Sequence, residues 1–528
     1  MPGVAVKHAI ESGSAEASAR TINQQAEGAF HLGYHTLLGS WLESLSEEFI
    51  RTNFELAVYK AWILFLTGKI SALRLFLDRI EPDAGRIKDT ESYRRYLSLK
   101  AWVARSEGDA NVVIEMPLLL DSEGRENPTV KLISHLSVAR AAYQAGRTDE
   151  AVSVLREAYR LERESGNAFA ALCALHTLCF YLLDVGQREE IQSLCTEALE
   201  IFTDSQGSKL PISGMAYLPL AVSRYEANAL DDAKNYSEIG LSLCRNLNLE
   251  DILVEDGTRT LARVHLARGR VENAVSLLND TLKRYETSNL YAPISSLQAL
   301  RAELAIRRGD IETAMIWAEP RAFDALSPPT GLPGYEHIVF VRLLLARGNL
   351  DNASKWLLVM KNGCVQAQRN RMLLTLLLLE VIWCILSEKT ADAVRITEQA
   401  LMIASPQNYR RPFIDELPTI ESVVLQCRPI APDFVESLRV DGTVLSTRSL
   451  TAPVSESILD ESAAIEPLTR REQEVLKLAA EALANREIAD RLFISVGTVK
   501  WHMNHILAKL NVPSRSKAVA RAKELGLL

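Results

Sequence analysis

The sequence predicts an all-α protein, in which a long array of helical hairpins precedes a linker and a small C-terminal helical domain. Nine turn residues recur every 38 to 42 residues between positions 68 and 388. The 528 residues include 25 Gly, 19 Pro and 48% apolar residues, which is typical of helix-rich globular chains. The last 63 residues are dense in helix start and stop signals.

Each repeat has a turn residue that ends one helix, and six of the nine turns are followed five positions later by a small residue. Glycine, and less often asparagine, accepts the left-handed conformation that ends a helix, and a small side chain lets two helices approach closely. Stacked hairpins of this kind form a superhelix with one continuous core. The turn residues are Gly68, Gly108, Gly146, Gly186, Asn228, Gly269, Gly309, Gly348 and Glu388. The small residues are Ala151, Ala233, Ala274, Ala314, Ala353 and Ala393.

The repeat unit resembles the tetratricopeptide repeat, although forty residues exceed the thirty-four that are usual for it. The resemblance implies a sensor or interaction domain over residues 1–427. Two kinds of ligand stay open, a protein or peptide on the concave face and a small-molecule inducer. The aromatic residues of the array are predicted to pack inside it rather than to line a pocket; they are Tyr217, Tyr225, Tyr285, Tyr291 and Trp317.

The repeat pattern decays after the ninth turn, and residues 428–465 form a predicted linker. Three prolines and a Ser/Thr cluster occur in this segment. At most one short helix is predicted there, at about Asp433–Leu438. A flexible tether of this kind would let the last domain, residues 466–528, move independently.

The cysteine and apolar residues exclude several classes of protein. The seven cysteines are odd in number and no pair has Cys-x-x-Cys spacing, so neither a disulfide framework nor a zinc site is predicted. We expect buried thiols in a reducing cytoplasm. The N-terminus lacks the apolar core of a signal peptide. The apolar run Met372–Ser387 is short for a membrane span and contains Glu380, so a buried helix is predicted there and no membrane contact. Neither a metal nor a cofactor is predicted for the chain.

The last domain carries a net charge of +4, whereas the rest of the chain carries −12. A small basic domain on a large acidic body indicates an anionic partner for that domain alone. Its first predicted helix begins at a Thr469–Glu472 capping box and has Val475, Leu476, Leu478 and Ala479 inside. The second predicted helix runs over about Arg486–Leu492 and has Ile488, Ala489 and Leu492 inside. A third is predicted at about Val496–Leu510 and a fourth at about Arg515–Leu525.

The third predicted helix has two different faces. At about 100° per residue, the side that faces the core consists of Val499, Met503, Ile506 and Leu510. The opposite side consists of Gly497, Trp501, Asn504, His505 and Ala508, with Lys500 on the flank. Lysine can donate to guanine edges and asparagine can pair with adenine in the major groove of DNA, which admits one α-helix. Phosphate contacts are predicted for Arg486, Thr498, Lys509, Arg515 and Lys517. A solvated surface helix is the alternative for the same residues.

This domain resembles the LuxR-type helix-turn-helix. The resemblance rests on Leu468–Leu476, Asn485–Ala489, Ile494–Ser495, Thr498–His502, Lys509–Leu510 and Gly526–Leu528. It implies that Val496–Leu510 is a recognition helix that contacts double-stranded DNA, and that the fourth helix contributes to a dimer. The DNA-binding residues that it implies, taken with the residue chemistry, are Asn485, Arg486, Ser495, Thr498, Lys500, Trp501, Asn504, Lys509 and Arg515.

Two residues depart from that family's pattern. Ala482 replaces a usual glycine, and Ala484 replaces the Ser or Thr that usually caps the helix before Glu487. Loss of a cap costs on the order of 1 kcal/mol, so we expect a looser helix start with the DNA-facing side unchanged.

The array resembles the MalT-type large ATP-binding LuxR regulators, on the evidence of Leu37–Leu45, Ala61–Trp62 and Tyr409–Glu416. In that family a superhelical repeat domain senses an inducer or partner, and an ATP-binding domain precedes the repeats. This sequence has no Gly-x-x-x-x-Gly-Lys-Ser/Thr loop, since Gly68-Lys69 is followed by Ile70. We therefore expect the chain to begin just after that domain, and we expect no nucleotide-driven oligomerisation.

The sequence as a whole predicts a cytoplasmic, sequence-specific DNA-binding transcriptional regulator without enzymatic activity. Its expected partners are double-stranded DNA and an inducer or protein on the superhelix, with RNA polymerase and a second copy of the chain as further candidates. The alternative is an interaction protein that modulates an ATP-binding relative through the array. An enzyme would need a nucleophile motif, a paired-carboxylate site or a phosphate loop, and the sequence shows none of these motifs.

Overall fold

In a computed structural model of the chain, the described residues form helices, many of which are joined by short turns. The described residues are 2–67, 69–80, 128–203, 207–246, 250–285, 291–321, 333–442, 470–481, 483–492 and 514–527, with scattered positions between these ranges. Apart from an isolated antiparallel bridge between Thr203 and Lys209, their regular structure is helical. The all-α prediction is confirmed.

The described helices are numbered here in chain order. The first fourteen are α1 (Pro2–Glu11), α2 (Ala15–His31), α3 (His35–Glu43), α4 (Glu47–Thr52), α5 (Phe54–Leu66), α6 (Ile70–Arg79), α7 (Pro128–Gln144), α8 (Thr148–Glu164), α9 (Ala168–Val185), α10 (Arg188–Ile201), α11 (Gly214–Glu226), α12 (Leu230–Asn246), α13 (Glu250–Ala267) and α14 (Val271–Tyr285). The others are α15 (Tyr291–Arg307), α16 (Ile311–Ala318), α17 (Tyr335–Ala346), α18 (Leu350–Gln366), α19 (Asn370–Leu386), α20 (Thr390–Ala404), α21 (Arg411–Ile414), α22 (Leu417–Gln426), α23 (Pro432–Gly442), α24 (Arg470–Ala480), α25 (Asn485–Leu492) and α26 (Arg515–Glu524).

The predicted repeat turns have the backbone conformation that the sequence requires. Seven of the nine turn residues have φ between 61° and 88°, from Gly146 to Glu388. The remaining two, Gly68 and Gly108, lie outside the described residues. All six alanines predicted at the close helix contacts are fully buried. The repeat register read from the sequence is therefore confirmed wherever the structure describes it.

Helices α11, α12 and α13 approach each other closely because glycines lie at their contacts. A Cβ atom built on Gly240 would lie 2.7 Å from Leu218 Cδ2, and one on Gly257 would lie 2.6 Å from Leu241 Cδ2. Real Cβ atoms hardly ever come this close to another side chain. These positions therefore admit a side chain only if the neighbouring leucines move.

The chain divides into two compact units. Unit 1 consists of Met1–Leu297 together with Gln366–Arg371, and unit 2 consists of Gln298–Val365 and Met372–Leu528. Both units contain repeats. The predicted limits of the last domain, residues 466–528, stay a prediction.

Unit 1 has a cluster of aromatic rings in its N-terminal part. The ring centroids of Phe30 and Trp62 are 5.6 Å apart, and His35 meets Phe169 edge-on at 4.7 Å. The imidazole of His35 is fully buried, and this burial lowers its pKa to about 3. The ring is therefore neutral at ordinary pH and packs as an aromatic residue.

An ion pair between the buried Arg95 and the partly exposed Glu27 lies beside this cluster. Arg95 Nη1 donates to the Tyr59 hydroxyl at 2.9 Å, and Tyr59 in turn donates to Glu27 Oε2 at 2.6 Å. Arg95 Nη2 donates to the other carboxylate oxygen of Glu27. Burial alone would raise the pKa of Glu27, but hydrogen bonds from His31 and Arg95 hold it below its usual range. The carboxylate is therefore ionised and paired with a buried arginine.

Residues 366–371, which we name the clamp, join α18 to α19 and pack within unit 1 against turns far away in the sequence. The Thr148 hydroxyl donates to the Ala367 carbonyl at 2.5 Å. The Arg369 guanidinium lies 3.8 Å from the centroid of the Tyr143 ring. Asn370 Nδ2 donates to the Val185 carbonyl at 2.9 Å.

Arg371 makes the charged contacts of the clamp. Its Nε lies 3.2 Å from Asp184 Oδ1, and its Nη1 lies 3.1 Å from Glu226 Oε1. The Asp184 and Glu226 side chains are only 8% and 5% exposed. Tyr143 also donates to Asp184. Two buried carboxylates of different hairpins are thus neutralised by one arginine more than 140 residues later in the chain.

Unit 2 contains a comparable ion network. Arg307 Nη2 lies 2.9 Å from Glu303 Oε1 and 2.8 Å from Glu416 Oε1. Arg342 Nη2 lies 2.7 Å from the same Glu416 oxygen. Glu303 and Glu416 are almost completely buried. The network ties α15 and α17 to the turn that precedes α22.

The helix predicted inside the linker is longer than expected. It runs over Pro432–Gly442, and its Phe434, Val435 and Leu438 side chains are buried in the same core as α19 to α22. The beginning of the predicted linker is therefore part of the packed array, since the apolar side of this helix outweighs the helix-breaking effect of the nearby prolines. Residues 443–467 lie outside the described residues.

Several other sequence predictions concern the core. Helix α19 buries Leu374, Leu377 and Val381, which confirms the buried helix predicted at Met372–Ser387. Among the described helices, Ala168–Val185 is long and apolar enough to cross a membrane, but 72% of that stretch is buried, as in a core helix. Tyr225 and Trp317 are buried as predicted, Tyr217 is half-buried, and the side chains of Tyr285 and Tyr291 lie outside the described residues.

All seven cysteines are free, and six of them are buried. Burial raises the pKa of Cys173 to about 12 and the pKa of Cys384 to about 11. The prediction of buried thiols is therefore confirmed for six of the seven cysteines, and Cys173 is half-buried. In the described part of the chain no three His, Cys, Asp or Glu side chains are grouped as a metal site would need.

Candidate DNA-binding module

One hydrophobic cluster holds the last domain together. Its buried members from α24, α25 and α26 are Val475, Leu476, Ala479, Ile488, Ala489, Ala518 and Ala522. The sequence predicted the first five of these from the helical period. Leu478 and Leu492, which were also predicted to lie inside, are only half-buried.

Helix α25 begins without the usual side-chain cap but keeps half of a capping box. Glu487 Oε2 accepts a hydrogen bond from the Ala484 backbone N–H at 2.6 Å. The alanine has no hydroxyl with which to return the bond to the helix N-terminus. Asn485 and Arg486 follow this turn, the first half-buried and the second exposed.

The third-helix region contributes the other wall of the core. Val499, Met503, Ile506 and Leu510 are at most 5% exposed, which confirms the predicted inward side. His502 is also buried, at 2% exposure, which was not predicted from the sequence. The helical period does indicate this burial, because residue 502 lies three positions after 499 and four before 506, on the same side of a helix.

Six of the predicted DNA-binding residues lie outside the described residues, so their placement stays a prediction. They are Ser495, Thr498, Lys500, Trp501, Asn504 and Lys509. The described ones are Asn485, Arg486 and Arg515. The structure brings two of these together, since Arg515 Nη1 donates to Asn485 Oδ1 at 3.0 Å.

Helix α26 starts at an intact cap. The Ser514 hydroxyl accepts from the Lys517 backbone N–H at 3.4 Å, and Gly526 with φ of 68° follows the end of the helix. Arg515 is the first residue of this helix, and its Nη2 donates to the backbone carbonyls of Leu483 and Ala479. The sequence predicted a contact between this guanidinium and a DNA phosphate, and its contacts inside the module were not predicted.

The other described cations of the module lie at its surface. Arg486, Lys477 and Lys517 are exposed. Arg491 pairs with Glu481 at 3.0 Å, and Arg521 pairs with Glu524 at 3.0 Å, with all four side chains largely in solvent. Exposed pairs of this kind contribute little to stability. The net positive charge of the module is therefore available to an anionic partner.

These features define a helical-repeat protein with a C-terminal helix-turn-helix module. The chain belongs to the family with a MalT-like TPR region, whose family model matches residues 48–425. Residues 466–522 match the model of bacterial regulatory proteins of the luxR family. Both resemblances that the sequence indicated are thus confirmed.

A named relative is the HTH-type transcriptional regulator MalT of Cronobacter sakazakii (strain ATCC BAA-894). It is 22% identical to this chain over an alignment that covers 99% of the chain and 60% of the relative. The chain therefore spans about 60% of the length of the curated relative that it matches.

Proposed function

We propose that this chain is a cytoplasmic, sequence-specific DNA-binding transcriptional regulator whose repeat array binds an effector or partner. The observation that carries the proposal is the buried side of the third-helix region in a luxR-family module of net charge +4. With residues 499, 503, 506 and 510 inside, the helical period predicts that Lys500, Trp501 and Asn504 face the major groove.

The DNA contacts divide into two classes. Lys500 and Asn504 would read base edges through hydrogen bonds, and the Trp501 ring would touch a thymine methyl group. Arg486, Thr498 and Lys509, with Ser495 and the helix N-termini near them, would contact phosphates and set the register on the duplex. Base contacts supply specificity, whereas phosphate contacts supply affinity that depends on salt.

The repeat array would act as the regulatory part. A small-molecule inducer or a protein bound to it can change DNA binding only if it binds two states of the chain with different affinity. Dimer formation on DNA and contact with RNA polymerase are the steps through which such a change would reach transcription. The same proposal assigns no enzymatic step to this chain.

The proposal is tested by selecting bound sequences from a random duplex library with the full chain, followed by fluorescence anisotropy of the selected site at two salt concentrations. We expect one enriched sequence that binds far more tightly than bulk DNA. Lys500→Ala should cost about 1–3 kcal/mol on that site and leave bulk DNA binding nearly unchanged. A library without enrichment would reject autonomous DNA recognition and favour a chain that modulates a relative through its array.

A further inference from the structure

We propose that Arg515 is a positioning residue that holds the N-terminus of α25, and with it Asn485 and Arg486, in the geometry that contacts DNA phosphate. The inference rests on the proposed DNA binding. It assigns this arginine a place inside the module instead of the direct phosphate contact that its charge suggests.

The guanidinium of Arg515 joins three segments of the module. Nη1 donates to Asn485 Oδ1 at 3.0 Å, at the first residue of α25. Nη2 donates to the Leu483 carbonyl in the turn and, at 3.4 Å, to the Ala479 carbonyl near the end of α24. The side chain therefore reaches back from the start of α26 to acceptors that lie 30 to 36 residues earlier.

The acceptors explain why an arginine is suited to this position. The last carbonyls of a helix have no partner within the helix, and they carry the negative end of its dipole. A guanidinium offers several N–H donors in a fixed planar fork, whereas an ammonium group is a compact point charge. Arg515 can therefore serve two carbonyls and an amide oxygen at once, and a lysine cannot reproduce that arrangement.

The bond to Asn485 also orients its side chain. Because Arg515 donates to the carboxamide oxygen, the –NH2 group of Asn485 is the part that can donate to an anion. Asn485 lies directly before the exposed Arg486, so both residues present donors at one end of α25. This end is also where the phosphate contact predicted for Arg486 would lie. Arg515 thereby acts on DNA through Asn485 and Arg486.

The test compares Arg515→Lys, Arg515→Met and the control Lys523→Met in the full chain, by anisotropy on the selected site over a range of salt concentrations. A positioning role predicts that Arg515→Lys weakens specific binding about tenfold, as much as Arg515→Met, although the charge is kept. Lys523→Met, which removes an exposed cation near the other end of the same helix, should weaken binding less than about threefold. Wild-type affinity in Arg515→Lys, with a salt slope reduced by about 0.9 in Arg515→Met, would establish a direct phosphate contact instead.

Hydrogen exchange followed by mass spectrometry, on the same proteins without DNA, separates this inference from the proposed function. We expect faster exchange in residues 483–488 of both Arg515 variants, with the amides around Val475 and Leu476 still protected. Unchanged exchange at the turn would overturn the positioning role even if the wild-type chain selects a DNA site. If both Arg515 variants lose protection throughout the module, Asn485→Ala, which leaves the two carbonyl bonds in place, decides the matter. It should then weaken specific binding by severalfold, and wild-type affinity would overturn the inference.

Discussion

The repeat array and the C-terminal module use their charged residues in opposite ways. In the array, arginines such as Arg307 and Arg371 lie against buried carboxylates and neutralise them within the fold. In the described part of the module, Arg486 and Lys517 are exposed, whereas the partners of Arg515 are an amide oxygen and backbone carbonyls rather than a carboxylate. Net charge alone therefore does not locate a ligand site. The acidic array contains cations that are already paired with carboxylates, whereas Arg486 and Lys517 of the module stay accessible.

The largest effect is expected when an arginine that is paired with buried carboxylates of the array is removed. Arg371→Ala would leave the buried carboxylates of Asp184 and Glu226 without their arginine. Loss of one partner of a buried pair destabilises by about 3–5 kcal/mol. We expect a marked loss of hydrogen-exchange protection in unit 1. The matched control is Arg395→Ala, which breaks an exposed pair with Asp392 and should change protection very little.

A second test concerns packing in the array, where the contacts are closest. Gly257→Ala places a Cβ within 2.6 Å of Leu241 Cδ2, and overpacking of this kind costs about 1–3 kcal/mol. Gly28→Ala in α2 is the control, because a Cβ there meets no atom within 4 Å. It should stabilise the protein by about 0.5–1 kcal/mol, since alanine favours a helix more than glycine. Urea denaturation of the two variants should therefore show shifts of opposite sign.

The buried His35 of the array makes the free energy of unfolding depend on pH. The pKa of His35 is about 3 in the folded chain, against an ordinary value of about 6.5 in the unfolded chain. Below pH 6.5 the unfolded state therefore binds a proton that the folded state does not bind. The free energy of unfolding falls as the pH falls, by about 2 kcal/mol at pH 5 from this residue alone.

Denaturation midpoints of wild type and His35→Phe between pH 5 and pH 8 measure that effect. The wild type should lose stability towards pH 5, and the variant should show a smaller dependence on pH. His8→Phe is the control, because His8 is 74% exposed in α1. Parallel curves for wild type and His35→Phe would contradict a neutral, buried imidazole.

The smallest expected effect belongs to the exposed cations of the module. Arg486→Ala should weaken binding to specific and bulk DNA by a similar factor, since phosphate contacts carry no sequence information. The slope of log affinity against log salt should fall by about 1. The fold of the module should not change, because the side chain is exposed. A loss confined to the selected site would show that Arg486 reads bases.

The parts of this structure that the sequence predicted are those that depend on neighbouring residues. A turn residue with positive φ and an alanine five residues later mark a hairpin through local geometry, and Gly309 with Ala314 shows both. The inward side of the third-helix region followed from the helical period in the same way. Both signals are complete within about one repeat of sequence.

The parts that the sequence did not predict depend on partners far away in the chain. Nothing near Arg371 indicates that its carboxylates lie more than 140 residues earlier, because neither residue type nor spacing specifies a tertiary partner. The contacts of Arg515 inside the module were not predicted for a related reason. Every residue has a backbone carbonyl, so the sequence does not indicate which carbonyls accept from its guanidinium. The prolines around α23 indicated a linker, but the segment forms a helix that packs in the core through Phe434 and Leu438.

The clamp also has a consequence for the order in which the protein is made. Repeat arrays in general let each hairpin fold against its neighbour as the chain emerges. Here the last segment of unit 1, residues 366–371, follows the rest of that unit by about seventy residues. At about 5–20 residues per second, the ribosome needs roughly 4–15 s to cover that distance. During this interval Asp184 and Glu226 have no arginine from the clamp, so the N-terminal unit completes its folding only after part of unit 2 has been synthesised.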